Sequence, residues 1–108
     1  MKKVFISQPM AGKKLVDIEA ERCHISNILE EAGFELINNI DAVEPKTDGS
    51  KLISQAVNII KMSLADYIYF MPGWESARGC RIEHTIAKEY NKKIIYNLNE
   101  IIGDDNNG

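Results

Sequence analysis

Tyr67-Ile68-Tyr69-Phe70-Met71-Pro72-Gly73-Trp74-Glu75-Ser76-Ala77-Arg78-Gly79-Cys80-Arg81-Ile82-Glu83-His84 reads as a strand, a turn and the opening of a helix. Tyr67 to Met71 is β-rich and apolar on both faces, the pattern of a strand covered on each side. Pro72-Gly73 ends it. The helix is predicted from about Ser76 to Tyr90, with Ser76 as candidate N-cap. Its apolar stripe is Ile82, Ile86, Ala87 and Tyr90. Glu83 falls inside that stripe, one turn after Gly79. A carboxylate on a core-facing side is costly unless something compensates it. Beside the end of a strand it is a candidate for chemistry.

The same alternation extends along the chain. Val4 to Ser7 is a first strand, short and continuously apolar until Ser7. Ser7-Gln8-Pro9-Met10-Ala11-Gly12 is a loop. A helix is predicted from about Lys14 to Ala32, with Leu15, Ile18, Ile25, Leu29 and Ala32 on one face and Gly33 as its stop. Phe34 to Asn38 is a second strand, and Asp41 to Ser50 a loop. Lys51 to Leu64 is a helix with Ile53, Ala56, Val57, Ile60 and Leu64 inward. Lys93 to Tyr96 is a fourth strand, and Asn97 to Ile102 a short last helix. Residues 103–108 read as a disordered tail after a single domain over 1–102.

Alternating strands and helices predict an α/β fold: a small, doubly wound, flavodoxin- or Rossmann-like parallel sheet of four or five strands. Right-handed crossovers favour the order 2-1-3-4. Connections then reverse between the first and third strands, where ligands bind outside the carboxyl ends. The loops from Ser7 to Gly12 and from Met71 to Gly79 meet there, with Glu83 just behind.

Composition narrows the classes. With 108 residues the chain holds one small domain. A formal charge of -3 gives no electrostatic reason to expect nucleic-acid binding. Cys23 and Cys80 lack metal-ligand spacing and suit a reducing compartment, so no metal or cofactor is expected. No segment has the apolar length of a membrane span or a signal peptide. A soluble, cytoplasmic protein is expected.

Several residues near the crevice could carry chemistry. Ser7, Gln8 and the backbone of Met10 to Gly12 lie where a phosphate or sugar could be held, with Gly12 allowing close approach and Lys13 adding charge. The loop is neither a dinucleotide fingerprint nor a Walker motif. Trp74 could stack on a planar base, or it could be a packing anchor at the helix start or a subunit contact. Arg78 and Arg81 oppose the dipole of their own helix, which an anionic ligand would explain; salt bridges to Glu75 or Glu83 would explain it too. His84 points about a hundred degrees away from Glu83 and reads as a surface residue, as does His24. Cys80 reads as packing. Arg22 interrupts the first helix's stripe, either to pair with a buried carboxylate or to snorkel at the edge.

These residues resemble a known family. Ala65-Asp66, the strand Tyr67-Ile68-Tyr69-Phe70, and Gly79-Cys80-Arg81-Ile82-Glu83 look like the nucleoside 2-deoxyribosyltransferase superfamily, which includes deoxynucleoside 5′-monophosphate N-glycosidases. Phe5-Ile6-Ser7-Gln8-Pro9-Met10-Ala11-Gly12 and Gly73-Trp74-Glu75-Ser76-Ala77-Arg78-Gly79 look closer still to a small uncharacterised branch found in bacteria and phages. The resemblance runs to about Tyr96. It implies that Glu83 is a nucleophile on C1′ of a deoxyribose, forming a glycosyl ester that water or a second base resolves. It implies that Ser7, Gln8, Met10 and Gly12 hold sugar or phosphate, that Trp74 contacts the base, that Arg78 faces a phosphate, and that Gly79 belongs to the motif. It also implies a nucleoside or nucleotide ligand and a homodimer or higher homo-oligomer. The chain departs from the pattern at Asn58, where the enzymes carry an aspartate that helps protonate the base. It departs again near Phe5 and Ser7, where they tend to carry a tyrosine. The chain is also shorter than most members and lacks the C-terminal segment that completes a neighbour's site in the transferases. Three readings stay open: an enzyme of N-glycosidic cleavage or transfer, a non-catalytic nucleotide-binding module, and a structural oligomer with Glu83 neutralised by Arg22 or Arg78.

Overall fold

Continuously apolar strands need cover on both faces, and this chain supplies it with helices on each side. The computed structural model describes residues 1–37 and 51–105. The predicted loop over 41–50 and the end of the second strand at Asn38 lie outside the described residues. Strands β1 (Lys3–Ser7), β2 (Glu35–Leu36), β3 (Tyr67–Phe70) and β4 (Lys93–Ile95) form one sheet in the order β2-β1-β3-β4. Every pairing is parallel. The helices are α1 (Leu15–Glu31), α2 (Lys51–Leu64), α3 (Arg78–Glu89) and α4 (Asn99–Asp105). The fold is therefore the expected small Rossmann-like α/β fold, with its reversal between β1 and β3.

Strand pleating sorts the core into two layers. Val4, Ile6, Tyr69 and Ile95 pack with Leu29 of α1 and Ile101 of α4. Phe5, Ile68 and Phe70 pack with Met62 of α2 and Ala87 of α3. Ser7 shares the parity of Phe5, so its hydroxyl enters the α2/α3 layer at the carboxyl end of the sheet.

The helical stripes are rotated from their predicted settings. On α2, Met62 is buried while Ala56, Ile60 and Leu64 are exposed. On α3 the buried face is Cys80, Glu83 and Ala87, whereas Ile82 and Tyr90 are exposed. On α1, Leu29 is the one buried residue and Leu15 is exposed. The cause on α3 is size: Gly79, Cys80 and Ala87 are small, so that face comes closest to the sheet and to α2.

Chain punctuation differs in detail too. Trp74–Ser76 is a turn of 3₁₀ helix, and α3 begins at Arg78 with Ala77, not Ser76, at its N-cap. The Ser76 hydroxyl instead donates to the Gly73 carbonyl. Gly33 takes φ 92° just beyond α1, the left-handed stop a glycine allows. The expected tail is shortened, because α4 runs to Asp105. A Glu100 carboxylate oxygen accepts from the Tyr96 and Asn97 amides, and Ile101 anchors the helix in the core. Residues 106–108 lie outside the described residues.

Asp66 fastens β3 to β1 at their start. Its amide donates to the Lys3 carbonyl, and its carboxylate accepts from the Lys3 amide at 2.8 Å. That backbone hydrogen bond, with nearby Lys2, Lys3 and Lys92, holds the Asp66 carboxyl below the usual carboxylate range against a smaller opposing effect of burial. A depressed folded value means stability that is present above the ordinary aspartate pKa and lost as pH falls through the folded one. Asp66→Asn should therefore lower the melting temperature at neutral pH, and the gap to wild type should close in acid. Thermal scans across pH 2 to 7 check this, and a gap independent of pH would contradict it.

Candidate active site at the switch-point crevice

The site begins with strand parity and helix rotation. Ser7 ends β1 on the α2/α3 side. Glu83 lies on the buried face of α3, only 3% exposed. Gln55 and Asn58 lie three apart on α2 and so share one helical face. These four side chains meet. The Ser7 hydroxyl donates to Glu83 Oε1 at 2.6 Å. Gln55 Nε2 and Asn58 Nδ2 donate to Oε2 at 2.6 and 3.0 Å.

Among the described residues, the three groups that hydrogen-bond Glu83 are neutral, and neither Arg22 nor Arg78 is one of them. Burying a charge costs several kcal/mol even after relaxation. A hydrogen bond to a charged group returns ~1.5–3 kcal/mol, so three together are of the size needed to keep the carboxylate there. A carboxylate offers about four acceptor directions. Described residues fill three of them.

Glu83 also lines a cavity of ≈ 1180 Å³ between α1, α2 and the start of α3. Gln8, Met10, Asn58, Arg78 and Gly79 line it as well. Gln8 is buried, and its Nε2 donates to the Ile18 carbonyl at 2.8 Å. That bond fixes the amide and leaves Oε1 buried with no partner among the described residues. An orphaned buried acceptor in a cavity wall needs a donor, which water or a ligand can supply.

The charge of the wall is lopsided. Arg22, Lys51, Lys61, Arg78 and Arg81 line the cavity, and Glu83 is the one acid among its described lining residues. Burial lowers the Arg22 pKa from its usual value. Arg81 is turned aside and donates to the Glu75 backbone carbonyl, not to a carboxylate.

Two expected site residues lie elsewhere. Gly12, at φ 77°, lines a separate shallow depression with Lys13, Asp17 and Glu21, where Lys13 pairs with Glu21 at 3.1 Å. Trp74 does not line the cavity. Its ring stacks on His84 at 4.1 Å and packs against Phe70 and Tyr96. His84 is thus part of an aromatic cluster and hydrogen-bonds Tyr96. Burial, then nearby Lys88, lowers its pKa against Glu75. His24 is exposed, as expected.

Gln55 is the residue that sequence reasoning missed. The apolar stripe of Ile53, Val57, Ile60 and Leu64 claimed the inward face of α2. The competing set of Gln55, Asn58, Ile59 and Met62 has equally good helical spacing, and two amides in it disguised it as a surface.

Fold and site define a class: a small α/β domain whose strand-order reversal opens a crevice with a buried carboxylate in its wall. Within that class, residues 2–96 match the family described as Domain of unknown function (DUF4406), and the chain belongs to that family. No curated protein and no solved structure matches the chain.

Cys80 lies one turn before Glu83 and is buried. Burial pushes its thiol up, a hydrogen bond with Ser7 opposes this, and Glu83 adds to the rise. Cys23 is exposed. A thiol reagent should therefore label one cysteine quickly, and Cys23→Ser should remove that fast phase. A fast phase that survives in Cys23→Ser would mean the Cys80 thiol is open and reactive.

Proposed function

We propose that this protein cleaves the N-glycosidic bond of a nucleoside or nucleotide, or transfers its 2-deoxyribosyl group, with Glu83 as nucleophile. The observation that carries this reading is a carboxylate 3% exposed, held by three neutral donors and lining a cavity at the switch point. The resemblance of Gly79 to Glu83 to the nucleoside 2-deoxyribosyltransferase superfamily gives the same role to the same residue. One Glu83 oxygen bonds to C1′ as the C1′–N bond breaks, and the bond pair leaves with the base, which takes a proton from solvent. Water then opens the ester: its oxygen bonds to C1′, the carboxylate is regenerated, and a proton returns to the medium. A second base in place of water completes a transfer.

The unpartnered Gln8 Oε1 suits a sugar hydroxyl or a base N–H, and Met10 is placed to pack on the ligand. Arg78, in a wall whose described lining residues include the single acid Glu83, favours a phosphorylated ligand with Arg78 toward its phosphate. Leu52, Ile60 and Leu64 form an exposed apolar stripe on α2, a surface that a second copy in a homodimer would cover.

A binding-only nucleotide module is the second reading. It is favoured by Asn58, an amide that cannot give a proton, at the position of the superfamily's acid.

Chromatography of a panel of deoxynucleosides and their 5′-monophosphates separates these readings. Wild type should release free base, and Glu83→Ala should release none. Arg78→Ala should raise KM for a monophosphate about tenfold while leaving a nucleoside unaffected. If both wild type and Glu83→Ala are inert while nucleotides still raise the melting temperature, the binding module replaces the enzyme. If no nucleotide shifts melting, both readings fall.

A further inference from the structure

Gly79 stands in the first turn of α3, where alanine is the better helix former. Its φ is not in the left-handed region, so backbone conformation does not require glycine there. Space bears on it. A Cβ built at position 79 would meet Gln55 Oε1 at 3.0 Å, tighter than nine in ten real Cβ contacts, so the end of Gln55 would have to give by a few tenths of an ångström. Gln55 is the residue whose other amide atom, Nε2, donates to Glu83 Oε2 at 2.6 Å. Gly79 and Glu83 are one turn apart on the same helix, so the Gln55 amide lies across that turn with Oε1 over the glycine and Nε2 on the carboxylate.

We propose that Gln55 is a positioning residue for the Glu83 nucleophile and that Gly79 is glycine in order to seat it. The inference rests on the catalytic reading of Glu83. Ser7 holds Oε1 from the sheet, and Asn58 reaches Oε2 at a longer 3.0 Å. Gln55 makes the shorter of the two bonds to Oε2 and so fixes the rotation of the carboxylate plane. A methyl group at position 79 pushes the flexible end of Gln55 aside, and Oε2 turns away from its aim without any loss of the fold.

The test is a double-mutant cycle with two readouts. Gln55→Ala and Gly79→Ala should each lower kcat about tenfold with KM unchanged, since one charge-assisted hydrogen bond is lost in each. The double variant should be no slower than Gln55→Ala alone, because alanine at 79 acts through Gln55. Gly79→Ala should melt less far below wild type than Gln55→Ala, because alanine's better helix propensity offsets part of the bond lost at Glu83. Independently of turnover, the Gln55 side-chain amide protons should resonate as hydrogen-bonded in wild type and move to the same free position in Gly79→Ala and in Glu83→Ala. Losses that multiply in the double variant would overturn the proposal, as would Gln55 amide signals unchanged by Gly79→Ala. If wild type releases no base from any substrate, the catalytic reading fails on its own, and the amide signals decide whether Gly79 seats Gln55 on Glu83.

Discussion

One carboxylate has to be kept inside a protein with no opposite charge touching it among the described residues, and the arrangement around it follows from that need. Glu83 is buried on α3 and is satisfied by a hydroxyl from β1 and two amides from α2. Those donors come from two elements, both far in sequence from α3. They meet because β1 ends at the reversal of strand order, where α2 and α3 cover the same face of the sheet. A shift of α2 by one residue would turn Gln55 and Asn58 about a hundred degrees away and strand the charge. The rotations of α2 and α3, the small residues Gly79 and Cys80, and the parity of Ser7 are all conditions for satisfying one group.

Much of the fold was legible because it depends on period and punctuation. Tyr67 to Phe70, apolar on both faces and stopped at Pro72-Gly73, fixed a central parallel strand, and the strand order followed from right-handed connection rules. Gly33 marked the end of α1. The helix faces were less legible. On α2 an apolar stripe and a half-polar stripe compete, and hydrophobicity alone selects the wrong one. The buried carboxylate decides between them: once Glu83 points inward it needs donors, and Gln55 and Asn58 are the pair with the spacing to supply them. On α3, side-chain size outweighed apolarity, so alanine and cysteine face the core while Ile82 and Tyr90 do not.

The site was legible in part for the same reason. Glu83, Ser7, Gln8, Met10, Asn58, Arg78 and Gly79 come together at the crevice. Trp74 does not, because an aromatic side chain at a strand end is drawn to other rings, and His84, Phe70 and Tyr96 are within reach. Gly12 does not, because the loop carries it to the other side of the start of α1. Neither departure could be read from residue type, since both depend on where neighbours from distant elements end up.

The proposed nucleotide ligand rests on the wall, where the described residues offer a cationic lining, an amide oxygen without a partner among them and one carboxylate. Trapping the covalent intermediate tests that most directly. A 2′-fluoro-arabino nucleoside 5′-monophosphate carries a fluorine that slows hydrolysis of a glycosyl ester. After incubation, intact-mass measurement should show one added sugar phosphate, and peptide mapping should place it on Glu83. An unmodified mass, or an adduct that persists in Glu83→Ala, would contradict a nucleophilic Glu83.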